Sequence, residues 1–200
     1  MTDYFALFNE PRRPWLDPEV LKQKFITLST TAHPDRMHNL GEAERAAAQE
    51  RYTQFNAAYN CLREPKERLH NLLELELGVL PKDIQRIPSD LMDLSLEVGK
   101  ACREADAFLA EKAKVTSPLL LVTSFERGQV FADELQGLRQ RVNSLNERLT
   151  DELQQIDDAW QSGAASRALL LQRLEKLYRL FSYFARWIAQ TQERVVRLSF

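Results

Sequence analysis

The sequence predicts an all-α protein in two parts, a helical hairpin followed by a three-helix bundle. Apolar residues recur every three or four positions along most of the chain, the spacing of one helix face. Alternation of period two, the mark of a half-buried strand, is almost absent. Glycine and proline, at 6 and 8 of 200 residues, are too few for a fibrous or disordered chain.

The elements follow in order. DYFALF, from Asp3 to Phe8, is a short apolar-rich segment placed to cap a hairpin. From Asp17, the stretch DPEVLKQKFITLSTTAH puts Leu21, Phe25 and Leu28 on one face. Asp17 is a suitable N-cap, and Pro18 sits where a first-turn proline is tolerated. The helix is expected to end near Ala32, because His33 precedes Pro34 and is biased away from helical angles. The polar loop PDRMHNLG leads to EAERAAAQERYTQFNAAYNCLRE, with Ala47, Arg51, Phe55, Ala58, Tyr59 and Leu62 on or near one face. Pro65 closes or kinks this second helix. Two helices joined by so short a loop pair antiparallel.

GVLPKDIQRIPSD, residues 78–90, places a glycine and prolines between helical runs and reads as a linker. The expected division is thus 1–77, a linker over 78–90, and 91–200. In the second part, Leu91, Leu94, Val98, Ala101, Ala105 and Phe108 or Leu109 line the first helix. Val115 to Val122, with Ser117 and Pro118, reads as an interruption. A long stripe follows from Phe131 through Leu135, Leu138, Val142, Leu145, Leu149, Leu153 and Ile156 to Trp160, stopped by Ser162 and Gly163. The last helix runs from about Ala165 to Leu198, with Leu170, Leu174, Leu177, Phe181, Phe184, Ile188 and Val195 near one face. The long stripe also fits a coiled coil; the two amphipathic helices flanking it favour a bundle.

Composition excludes several classes. A formal net charge of −2 lacks the basic excess that general nucleic-acid binding needs. Cys61 and Cys102 stand far apart without CxxC spacing, against a disulfide framework or a four-ligand zinc site. No apolar run is long enough to span a bilayer, and the start MTDYFALFNEPRRPW has no signal-peptide core. A cytoplasmic protein without a cofactor is expected. So is the absence of enzymatic activity: His33 with Asp35 as an acid–base pair, or His33 with His38 as metal ligands, would need a concave, water-poor pocket rather than a convex hairpin tip.

The sharpest chemical signal is His33-Pro34-Asp35 in the loop between the first two long helices. Pro34 removes a backbone donor and stiffens the loop. A partner then meets His33 and Asp35 at little ordering cost, and an exposed aspartate suits a bidentate arginine. Read as a bare helix stop, the tripeptide would need nothing else around it. Here Asp3-Tyr4-Phe5 precede it, Leu28 lies upstream and Arg36 follows. Phe55-Asn56-Ala57-Ala58-Tyr59 and Leu62-Arg63-Glu64-Pro65 come later. Together these residues resemble the J-domain of DnaJ-type co-chaperones. The resemblance implies that His33, Pro34, Asp35 and Arg36, with Lys22 and Lys24 on the preceding helix, dock on a DnaK/HscA-type ATPase chaperone and accelerate its ATP hydrolysis. The four residues before His33 are Ser29, Thr30, Thr31 and Ala32, where relatives commonly carry cations and an aromatic. Fewer cations imply weaker steering and a shallower salt dependence.

General DnaJ proteins continue with a Gly/Phe-rich linker and CxxCxGxG repeats, both missing here. Instead KERLHNLLELEL is followed by the proline-containing connector and Asp90-Leu91-Met92-Asp93, and the chain finishes on Phe200. This order is similar to the HscB-type iron–sulfur cluster co-chaperones. That resemblance implies that the bundle holds the iron–sulfur cluster scaffold protein through its first helix, at Leu91, Met92 and either Leu96 or Glu97. Leu91 also lies on the core stripe, whereas Met92 is just off it. The alternative is a J-domain co-chaperone for another client, its bundle a general interaction or dimerisation module. Residues 112–126, including LLLVTSF, exceed the family's usual bundle and would extend helices or form an additional apolar surface.

Overall fold

A computed structural model describes residues 2–31, 41–79 and 87–199. The expected sites His33, Pro34, Asp35 and Arg36, most of the 78–90 linker and Phe200 lie outside the described residues. Within them the chain is α-helical with no strand, the expected class. The helices are α1 (Tyr4–Leu7), α2 (Pro18–Thr31), α3 (Glu42–Arg63), α4 (Pro65–Leu77), α5 (Met92–Lys112), α6 (Pro118–Ser162) and α7 (Arg167–Leu198), with a 3₁₀ turn over Ser89–Leu91.

The chain forms two compact units. One holds residues 1–82 with 150–179, the other residues 83–149 with 180–200, so α6 and α7 contribute to both.

In the first unit α2 and α3 pack together as a hairpin. Asp17 caps α2, its Oδ1 accepting from the Glu19 and Val20 amides at 2.9 and 3.0 Å. Phe25 of α2 stacks on Tyr59 of α3 with ring centroids 4.3 Å apart. Phe5 and Phe8 are fully buried, and Phe8 meets Phe55 edge-on. Asp3 starts α1 by accepting from the Ala6 amide and from Arg12. Burial alone would raise its carboxyl pKa, but the Ala6 amide and the Arg12 guanidinium outweigh that and hold it below the usual range.

Pro65 opens α4 at its first position instead of only ending α3. The chain turns there, and Gly78 in the left-handed region (φ 70°) ends α4. Arg68 of α4 is buried and donates to two backbone carbonyls, Pro14 through Nε at 2.7 Å and Leu62 at the end of α3 through Nη1 at 2.5 Å. Burial lowers its pKa to about 10, so it stays cationic near neutrality and answers the unpaired carbonyls at the negative end of α3. Arg68→Leu is expected to destabilise the protein by about 3 kcal/mol, since two buried carbonyls lose their donors. Urea unfolding measures this, and a loss under about 1 kcal/mol would contradict the assignment. The Cys61 thiol is pushed up to about 12, chiefly by burial, so it remains a neutral packing group.

Residues 150–179 complete this unit with Leu153 and Ile156 of α6 and Leu170, Leu174 and Leu177 of α7, all buried. Asp157 of α6 is 1% exposed. It accepts from Arg13 Nε and Nη2, from the Trp15 amide at 3.2 Å and from Gln161 at 2.7 Å. Next to it the Trp160 indole donates to the Arg12 carbonyl at 2.9 Å. Arg167 lies over the Trp160 ring and pairs with Glu76 at 3.1 Å.

In the second unit, Leu94, Val98, Ala101, Ala105 and Phe108 of α5 are buried, as are Ala132, Leu135, Leu138 and Val142 of α6. Phe181, Phe184, Trp187, Val195 and Leu198 of α7 complete that core. Gly128 permits close approach: an added Cβ would meet the Phe108 ring at 3.3 Å and the Leu198 carbonyl at 3.6 Å. Arg194 ties α7 to α5 through Asp106 at 2.6 Å and the Cys102 carbonyl at 3.3 Å.

One expectation is corrected. Val115 to Val122 is not an interruption as a whole, because α6 already begins at Pro118 and the break covers only the residues after Lys112. Proline at a first helical position starts a helix as readily as it ends one. Leu120, Leu121, Val122 and Phe125 are therefore exposed on the first turns of a long helix.

Candidate functional site

Two surfaces carry the residues singled out by sequence. The first is α2, whose last described residue, Thr31, precedes His33-Pro34-Asp35 in the sequence. Lys22 is exposed and stands 3.9 Å from Glu19. Lys24 turns back toward the N-terminal segment, donating to Glu10 at 2.6 Å and to the Asn9 carbonyl at 3.0 Å. Its charge therefore holds residues 9 and 10 against α2 and is not free on the outer face.

What α2 does present is apolar and neutral. Val20 and Ile26 are exposed. The hydroxyls of Thr27, Thr30 and Thr31 donate to the carbonyls of Gln23, Ile26 and Leu28 at 3.0, 2.7 and 2.8 Å. Hydroxyls bonded to their own helix leave methyl groups as the threonines' outward chemistry. Composition had signalled this poverty of cations; the engagement of Lys24 deepens it.

The second surface is the start of α5. Leu91, in the 3₁₀ turn, is 9% exposed and belongs to the core, while Met92 and Leu96 are 43% and 63% exposed. The latter two are four apart, hence neighbours on one helix face. Glu97 lies toward α6 instead, in an ion pair with Arg141. The structure thus brings Met92 and Leu96 together as one outward apolar pair and separates them from Leu91 and Glu97. The flexible methionine beside a leucine can adapt to a partner surface.

Sequence reading passed over Arg141 and Arg148, which face the start of α5 across a cleft. The signal was present as arginines spaced seven apart on one side of the long stripe, but exposed arginines on a helix are too common to single out. No group of three or more His, Cys, Asp or Glu side chains among the described residues could hold a metal ion. No helix among them is long and apolar enough to cross a membrane.

No family model matches the chain. A Co-chaperone protein HscB homolog of Vibrio cholerae serotype O1 is 29% identical over 166 residues, 78% of this chain and 97% of that protein. The homolog of Cupriavidus taiwanensis is 40% identical over 73 residues, where the chain spans only 42% of the relative's length. Among solved structures, HscB from Vibrio cholerae matches with a TM-score of 0.61 over 96% of both chains, at 20% identity. The human co-chaperone HscB matches equally well, 0.61 over 98% of this chain and 81% of the other, at 18% identity. These structures share the fold, a J-domain followed by a helical bundle. In sequence the chain is similar to HscB co-chaperones over a length that runs through both parts, and in fold it is similar to the solved HscB structures.

Proposed function

We propose that this co-chaperone stimulates the ATPase of a DnaK/HscA-type chaperone and delivers to it the iron–sulfur cluster scaffold protein, in the cytoplasm. His33, Pro34, Asp35 and Arg36 contact the chaperone, with Lys22 as the outward cation of α2, loosely paired with Glu19. Met92 and Leu96 contact the scaffold. The observation that carries the reading is the exposed Met92–Leu96 pair on α5 of a chain in which α2 and α3 pack as a hairpin and His-Pro-Asp lies between them in the sequence. Two apolar side chains held side by side on a rigid helix offer a preorganised anchor. Holding client and chaperone on one chain raises the client's effective concentration without chemistry in this protein.

The test is single-turnover ATP hydrolysis by each DnaK-type chaperone of the same organism, with this protein alone and with the cluster-free scaffold protein. Stimulation that rises further with scaffold, and loses that increment in Met92→Ala/Leu96→Ala, is expected. Stimulation indifferent to scaffold would retain the J-domain role and discard the iron–sulfur assignment. The exposed Leu120, Leu121, Val122 and Phe125 favour a second reading, in which the bundle dimerises or holds another client. Equilibrium sedimentation separates the two, since a monomer at micromolar concentration removes dimerisation.

A further inference from the structure

The interface between α5 and α6 closes at Glu97–Arg141 and opens one turn nearer the start of α5. The opening is a cleft of about 510 Å³ with Leu91 and Leu145 in its lining. Asp90 and Asp93 stand on one wall, Arg141 and Arg148 on the other. Arg141 is engaged by Glu97. Among the described residues, Asp90, Asp93 and Arg148 form no ion pair. Opposite charges thus face each other across open space, without joining, above an apolar lining.

Such a cleft is complementary to a particular kind of chain. Its volume is that of a small-ligand site, so it takes a short stretch of peptide and not a folded surface. Leu91 and Leu145 suit an apolar side chain. Asp90 and Asp93 suit a lysine or arginine, and Arg148 a carboxylate, preferably bidentate. The arrangement is polar in a directional sense, so it fixes which way the segment runs and rejects one with its charges reversed.

We propose that this cleft is a specificity groove for an extended segment of the client, in which an apolar residue is flanked by a basic residue on one side and an acidic one on the other. The proposal rests on the reading of α5 as the client-binding helix. Met92 and Leu96 form an outward ridge on that helix, and Asp93, which lies between them in sequence, lines the cleft, so a client seated on the ridge reaches the groove along a continuous surface. The ridge supplies the apolar anchor and Arg148 with Asp93 selects the client by charge.

Calorimetric titration of the full chain with the cluster-free scaffold protein of the same organism tests this. Arg148→Glu and Asp93→Lys are each expected to weaken binding about tenfold and to change its salt dependence, since each places a like charge against the segment. Glu134→Lys, an exposed charge reversal elsewhere on α6, is expected to bind as the native chain does. Both cleft side chains are exposed and unpaired, so thermal melting should be unchanged. Native affinity in both cleft variants, with weakened binding in Met92→Ala, would overturn the groove and leave the scaffold reading standing. Native affinity in all three, or no scaffold binding by the native chain, would overturn both.

Discussion

Asp157→Ala is expected to lower the unfolding free energy by about 3–5 kcal/mol, the range for breaking a buried ion pair from one side. The carboxylate is 1% exposed and accepts from three residues, two of them in the N-terminal segment. Alanine leaves the Arg13 guanidinium in a half-buried site without its anion, the Trp15 amide without an acceptor and a void against the core. Asp157→Asn should be nearly as harmful, because its NH₂ must face donors where an oxygen stood. The effect is asymmetric. Arg13 is itself partly exposed, and Arg13→Ala leaves Asp157 with the Trp15 amide and Gln161. That variant is expected to lose only about 1–2 kcal/mol. Urea unfolding of the three variants decides: a loss below about 1 kcal/mol for Asp157→Ala, or equal losses for Asp157→Ala and Arg13→Ala, would show that solvent relaxes the site.

That cluster also shows where sequence reading stopped. The hairpin was legible because its signals are local: Asp17 caps, Pro18 starts, and Leu21 with Phe25 and Leu28 keeps one phase over three turns. Asp157 and Arg13 lie 144 residues apart, and no local pattern links them. An acid beside Ile156 on the core stripe was the available hint, since a carboxylate there demands a partner. Pro118 misled for a different reason: proline punctuates helices at both ends, and only the residues after it say which. On α5 the spacing separated Leu91 from Met92 correctly in kind, with Leu91 toward the core and Met92 outward. It left Leu96 and Glu97 as alternatives. Their side chains diverge by about 100° around a helix, and the Arg141 pair shows which of them faces α6. Lys24 looked like a docking cation because nothing in its own helix reveals that Glu10 reaches it.

The engagement of Lys24 sharpens the second large effect. If α2 offers only Lys22, itself paired with Glu19, as an outward cation beside Val20, Ile26 and threonine methyls, electrostatic attraction contributes little to the proposed docking on the chaperone, and His33-Pro34-Asp35 carries most of the specificity. Asp35→Asn keeps size and shape but removes the charge from a hydrogen bond to a cation, a difference of about 1.5–3 kcal/mol. ATPase stimulation is therefore expected to fall on the order of 10- to 100-fold, to the chaperone's basal rate. Lys22→Glu should lower it only about threefold, and raising salt from 0.05 to 0.3 M should lower it by roughly the same factor, since few exposed charges remain to be screened. Ile26→Asp, which puts a charge into the apolar face, should cost more than Lys22→Glu. Single-turnover hydrolysis with the four proteins measures all of this. A steep salt dependence together with a severe Lys22→Glu defect would mean that α2 docks by charge after all; full stimulation by Asp35→Asn would mean that the loop does not act as proposed.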